Sequence, residues 1–241
     1  MNPVAPKKAM VLAAGLGMRM RPLTEKTPKP LIEVGGKTLI DWGLDALERA
    51  GVTEAVVNIH HLPDQMRVHL AKRSEPHIVI SDETDLLLES GGGIVRALPL
   101  LGPEPFFILN ADTFWVEDGA ADLSGLALAW DGARMDILLM LAEMGKATGH
   151  SGRSDFLLGA DDRLTRSGGD PVGLIYAGAA IVHPRIFAGV EAEPHSLNRY
   201  FDQTAAEGRL FGWRMSGRWI TVGTPEAIPA AEAAVAAATV S

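Results

Sequence analysis

Residues 12–31 read LAAGLGMRMRPLTEKTPKPL, and in them Arg19, Arg21, Lys26 and Lys29 stand against one acid, Glu25, although the whole chain has a formal net charge of −8. Gly15 and Gly17 directly follow a short apolar run. Glycines there let backbone N–H groups approach an anion closely, and Arg19 and Lys29 can neutralise its oxygens. Strand-end glycines, interleaved cations and the Pro28-Lys29-Pro30 triplet together predict a polyphosphate site; the plain alternative is a solvated basic turn.

Two other phosphate motifs fail. The dinucleotide fingerprint needs a third glycine where Met20 stands, and an acid closing the second strand, which ends near Asn58. Gly36-Lys37-Thr38 resembles the end of a Walker loop, but Leu31 occupies the place of its first glycine.

The elements that must hold this loop follow from the apolar pattern. Ala9 to Ala14, Ala55 to Ile59, His77 to Ile80, Phe106 to Leu109, Met135 to Leu141 and Leu174 to Val182 read as strands, with a weaker one at Arg209 to Trp213. Helical spacing recurs at Leu39, Ile40, Leu44 and Leu47 up to Gly51, after Pro63, over Ile94 to Leu101, at Leu197, Tyr200, Phe201 and Thr204, and after Thr224-Pro225 into the alanine-rich AEAAVAAATVS tail. This alternation predicts an α/β protein: one three-layer α/β/α Rossmann-like domain over residues 1–241, with a mostly parallel, partly mixed sheet. Phe106 to Leu109 delivers Asn110 and Asp112 to a strand's carboxyl end, the edge where open α/β sheets bind ligands. The polar, glycine-rich stretch from Gly145 to Gly173 is expected to form a lid or substrate loop.

With 241 residues and 47% hydrophobic content, the chain can bury a sizeable core. It has no cysteine, so thiolate metal sites and thiol nucleophiles are excluded, and a cytoplasmic location is expected. The acidic balance with no basic block argues against nucleic-acid binding, and the short apolar run near the start argues against export or a membrane anchor. Nothing in the sequence sets an oligomeric state.

Gly15-Leu-Gly17-Met-Arg19-Met-Arg-Pro22, Pro28-Lys29-Pro30-Leu31 and Gly36-Lys37 resemble the signature of the sugar-1-phosphate nucleotidylyltransferases. The likeness extends to Gly91-Gly92-Gly93, Asn110-Ala-Asp112 and Trp219-Ile-Thr-Val-Gly223-Thr224. It implies that an NTP and a sugar 1-phosphate yield an NDP-sugar and pyrophosphate. It also implies that Ala14, Gly15, Gly17, Met18, Arg19, Gly91, Gly92, Gly93 and Asn110 bind the nucleotide, that Arg19 and Lys29 are catalytic at the phosphates, and that Asp112 is a ligand of Mg²⁺. Both reactants are anions, so the chemistry needs positive charge more than a nucleophilic side chain.

Two departures from the pattern stand out. Thr221 occupies the place of an aspartate that serves the family as a second metal ligand, and Asn110, on the same side of an extended strand as Asp112, is a possible support. Thr165-Arg166-Ser167 stands where many relatives carry a Glu-Lys-Pro, the acid binding sugar hydroxyls and the lysine the sugar phosphate. Arg166 can replace the lysine, the missing glutamate suggests a sugar recognised differently, and Asp155, just before Phe156-Leu-Leu, is a candidate for a sugar hydroxyl. The segments Val57-Asn-Ile-His60-His61-Leu62, LESGGGI and Leu164-Thr-Arg166 are most similar to uridylyltransferases acting on N-acetylmuramate 1-phosphate in cell-wall recycling. Alternatives are a mannose-1-phosphate guanylyltransferase or another hexose relative and, in a different class, a binding module that has lost catalysis with the second metal ligand.

Other tempting residues have plainer expectations. His60 and His61 are adjacent in extended chain, so they point opposite ways and make no two-histidine metal site. His150 is a solvated loop residue, Asp161-Asp162 shapes a turn, Trp42, Trp130 and Trp213 pack, and Glu226 favours the first turn of the last helix.

Overall fold

The computed structural model describes residues 5–119 and 121–239; Val240 and Ser241 of the alanine-rich tail lie outside them. Seven strands form the central sheet: β1 (Lys8–Leu12), β2 (Glu54–Ile59), β3 (His77–Asp82), β4 (Phe106–Asn110), β5 (Ile137–Ala142), β6 (Ile175–Val182) and β7 (Leu210–Arg214). Their order is β7-β5-β6-β4-β1-β2-β3, and every pairing is parallel except those of β6. Successive side chains of β1 serve opposite faces: Ala9 and Val11 join one apolar cluster, Met10 the other. The strands are apolar on both faces because helices cover both.

The first face receives α1 (Leu39–Arg49), α2 (Pro63–Leu70) and α4 (Asp122–Ala129), through residues such as Leu44, Met66 and Leu126. The second receives α3 (Glu89–Leu101) and α5 (Asn198–Ala206), through Ile94, Ala97, Tyr200 and Phe201. Gly51, at φ +78°, ends α1 as the sequence predicts. Helix α4 has no counterpart in the predicted elements. Its sequence DLSGLALA carries apolar residues all round, with Leu128 77% exposed, so no single face marks it.

A third apolar cluster joins Met20, Ile32, Phe114, Ile220, Val222 and Ala231. It binds the basic loop to a small sheet of Thr113–Val116, Arg218–Thr221 and Ala147–Thr148, and to the last helix, α6 (Ile228–Thr239). Trp42 stacks on Phe114 with ring centroids 4.8 Å apart, so it packs as expected.

The middle stretch differs from an open lid. Phe156–Leu158 and Leu164–Arg166 pair as a hairpin whose Phe156 and Leu164 are buried in the second cluster, and Arg163 bridges to Phe211 of β7. Two apolar side chains with a buried partner surface outweigh the loop-forming glycines around them. Asp161-Asp162 forms the turn of this hairpin, with Asp162 at φ +66°. Among the described residues no helix is long and apolar enough to cross a membrane.

At the sheet end away from the glycine loop, Asp136 is 6% exposed and receives hydrogen bonds from Arg185 and from Arg209 Nε, the latter at 2.7 Å. Burial pushes its carboxyl up, but the two arginines outweigh burial and hold it below the ordinary carboxylate range. A depressed folded value means that this stability is fully present above about pH 4 and is lost as pH falls through the folded value. Asp136→Asn should lower unfolding free energy by about 2 kcal/mol at neutral pH and flatten the acid side of the stability curve, as read by urea denaturation across pH.

Candidate active site

The site lies where the sheet order reverses. From β1 the chain runs outward to β2 and β3, then crosses back to β4 on the other side of β1, which leaves a crevice beyond the carboxyl ends of β1 and β4. Leu12 pairs with Asn110, and the Ala111 N–H donates to the Leu12 carbonyl at 3.1 Å, so the glycine loop and Asp112 leave the sheet side by side.

The loop's own geometry depends on Gly17. Its φ is +62°, and a Cβ there would stand 2.8 Å from the Thr24 methyl and 3.2 Å from Lys29 Cβ. Glycine is the residue that tolerates both the left-handed backbone and the close approach. The Met20 N–H donates to the Gly17 carbonyl at 2.8 Å, and the Met20 side chain is fully buried in the third cluster. That anchor leaves the neighbouring Arg19 exposed beside Gly223, with no ion pair among the described residues.

Lys29 is 8% exposed, and its Nζ donates to Asp112 Oδ2 at 2.7 Å. A desolvated ammonium costs several kcal/mol unless an opposite charge meets it, and Asp112 does so. The pair opens onto a cavity of about 470 Å³. Of the residues expected from sequence, Ala14, Gly15, Gly17, Met18, Arg19, Lys29, Asn110 and Asp112 all line it.

Five expected residues stand elsewhere. Gly91, Gly92 and Gly93 lie inside α3 rather than before it, and none lines the cavity. Side chains at these positions would collide with His195, with the Glu193 carbonyl, and with Glu83 and Asn58 respectively, so packing demands the glycines. Asp155 Oδ2 accepts the Tyr176 N–H at 2.9 Å, which ties one carboxylate oxygen to the hairpin's seat against β6. Arg166 donates from Nε to Asp202 at 2.7 Å and covers the Phe156 ring at 4.7 Å, so it clamps the hairpin to α5.

Sequence reasoning missed Asn58, Glu89, Ser90 and Gly223 on the cavity wall. Asn58 carried a signal, a lone amide in the apolar run AVVNI. Its Oδ1 accepts the Ala13 N–H at 2.7 Å, and its Nδ2 donates to Glu83 Oε1 at 2.7 Å. Burial pushes the Glu83 carboxyl above its ordinary value, against the hydrogen bonds from Asn58 and Leu88. His60 and His61 diverge as expected: His60 Nδ1 donates to the Glu83 carbonyl, His61 Nε2 to the Thr24 carbonyl.

For a cation, the donors at the cavity are hard oxygens: the Asp112 carboxylate, 37% exposed, with the Asn110 amide on the same wall. Among the described residues no group of three or more His, Asp or Glu could hold a metal ion. This set fits Mg²⁺, which commonly binds through one or two carboxylates and takes its other oxygens from substrate phosphate and water. Thr221 pairs opposite Thr113, one residue beyond Asp112, and lies outside the cavity lining.

The chain is 47% identical over 239 residues to an N-acetylmuramate alpha-1-phosphate uridylyltransferase of Caulobacter vibrioides, covering 97% of this chain and 99% of that one. It is 36% identical to the enzyme of the same name from Neisseria meningitidis serogroup B, over 90% of this chain and 93% of the other. The inositol-1-phosphate CTP transferase of T. maritima shares the fold, with a TM-score of 0.78 at 17% identity, covering 96% and 97% of the two chains. Residues 9–148, which hold the glycine loop, Lys29 and Asp112, match the family described as MobA-like NTP transferase domain. The chain belongs to that family.

Proposed function

We propose that the protein transfers a uridylyl group from UTP to N-acetylmuramate 1-phosphate, giving the UDP-sugar and pyrophosphate, as part of cell-wall sugar recycling in the cytoplasm. The observation that carries the phosphoryl chemistry is the Lys29–Asp112 pair at 2.7 Å, set in the switch-point cavity beside Arg19, which is exposed. The names of the two relatives, at 47% and 36% identity over nearly whole chains, support the choice of base and sugar.

In this reading a sugar-phosphate oxygen forms a bond to the α-phosphorus while the bond to the β-phosphate oxygen breaks, and pyrophosphate leaves with the electron pair. Arg19, exposed and free of any other anion among the described residues, binds the leaving pyrophosphate. Lys29 holds charge at the reacting phosphate, its position secured by burial of its stem. Loop amides from Ala14 to Met18 wrap the phosphates. We assign Mg²⁺ to Asp112, with Asn110 in support; when bound it supplies a hard positive charge to the phosphate oxygens. One domain carries the whole reaction, and Asp155 and Arg166, each held by a partner within the fold, stand outside the cavity that holds the phosphate groups.

Pyrophosphate release measured across four NTPs and several sugar 1-phosphates should be highest for UTP with N-acetylmuramate 1-phosphate and should need Mg²⁺. No release from any pair would favour a binding protein. Arg19→Ala and Lys29→Ala should each lower kcat/KM by about a hundredfold or more while leaving the folded state intact by circular dichroism. Thr221→Asp should keep activity and lower the Mg²⁺ concentration needed for half-maximal rate, since a carboxylate beside Asp112 adds a ligand; activity found only in Thr221→Asp would mean that the wild-type chain is no catalyst.

A further inference from the structure

Glu83 is fully buried, yet nothing in the phosphate chemistry uses it. Its two carboxylate oxygens face two separate parts of the site. Oε1 accepts from Asn58 Nδ2 at 2.7 Å, and Asn58 Oδ1 in turn accepts from the Ala13 N–H at 2.7 Å, at the root of the glycine loop. Oε2 accepts from the Leu88 N–H at 3.4 Å, immediately before Glu89 and Ser90, which line the cavity. Its backbone is held as well, with the Glu83 N–H on the Ile59 carbonyl at 2.9 Å and the Glu83 carbonyl taking His60 Nδ1.

The packing leaves this arrangement no slack. A Cβ at Gly93 would stand 2.6 Å from Glu83 Oε1 and 2.8 Å from Asn58 Nδ2, so α3 is pressed directly against the pair. Leu88 is fully buried, and Glu89 takes up a left-handed backbone, φ +59°, to turn from this anchor into the helix. Asn58 is itself 2% exposed and lines the cavity. The hydrogen bonds have a direction: Ala13 N–H to Asn58 carbonyl, Asn58 amide N–H to carboxylate, Leu88 N–H to the same carboxylate. An acceptor-only group is required at the end where both donors converge.

We infer that Glu83 is a positioning residue for the nucleotide, fixing the separation between the glycine loop and the Leu88–Ser90 wall through Asn58 and Leu88. This role rests on the proposed nucleotide site. Glutamine at position 83 can accept from Asn58 or from Leu88 but not both, because its amide N–H₂ meets the other donor. Asn58→Asp alone sets two carboxylates against each other in a buried place. The double variant Asn58→Asp with Glu83→Gln restores every bond: the aspartate accepts from Ala13 and from the glutamine amide, and the glutamine carbonyl accepts from Leu88.

The test measures UTP dissociation constants and both Michaelis constants for the wild type, Glu83→Gln and the double variant. Glu83→Gln should weaken UTP binding and raise the UTP KM by about tenfold, with the KM for sugar 1-phosphate changed less than threefold. The double variant should return UTP binding to within about threefold of wild type. Thermal denaturation separates positioning from folding, since a loss of Tm with unaltered UTP affinity at a temperature where all variants are folded overturns the role. A double variant no better than Glu83→Gln overturns it too. Wild-type protein that binds no UTP removes the functional reading and this role together; wild-type binding matched by Glu83→Gln removes this role alone.

Discussion

An ammonium group with almost no access to water must meet an opposite charge, and in this fold Lys29 meets Asp112 across 83 residues of sequence. The pair draws the basic loop over the end of β4. The register of β1 against β4 brings Leu12 beside Asn110, so the loop and Asp112 start from neighbouring strand ends. Loop cations and the strand-end carboxylate thereby share one cavity wall. The arrangement is set during folding, before any ligand arrives.

The glycines divide between two physical tasks. Gly17 is needed for a left-handed turn in contact with Thr24 and Lys29, which sets the course of the loop over the cavity. Gly91, Gly92 and Gly93 are needed for close approach: the segment at Glu193 and His195 and the Glu83–Asn58 pair press on α3 where any side chain would stand. In one dimension both sets are simply glycine next to an apolar run. The Asp136 clamp at the far end of the sheet shows the complementary arrangement, with a buried carboxylate held between two arginines.

Much of the fold was legible. The strand runs of β1, β2, β4, β5 and β6 are short and apolar because both faces are covered, and the turn residues between them punctuate the pattern plainly. Helix α4 was not legible, since apolar residues surround it and no period emerges. The hairpin at 156–166 hid among glycines and aspartates because its stability comes from Phe156 and Leu164 seated in a distant cluster. In the site, the loop residues and Asp112 could be read from charge beside glycine at a strand end. That Asp155 and Arg166 take partners within the fold was not legible, because a carboxylate and a guanidinium held by Tyr176 and Asp202 look, in sequence, the same as free ones.

The sequence by itself determined which groups could do phosphate chemistry, since residue type and strand-end position are local properties. It also determined the alternation of elements that makes an open parallel sheet the economical way to bury these apolar runs. Only the tertiary structure decided which polar groups remain available: Arg19 with no ion pair among the described residues, Lys29 paired with Asp112, Asn58 and Glu83 joined behind the loop, Thr221 beside the site but outside its wall. The reason is that a hydrogen bond or ion pair between distant residues is set by sheet register and packing, and these exist only once the whole chain has closed on its core.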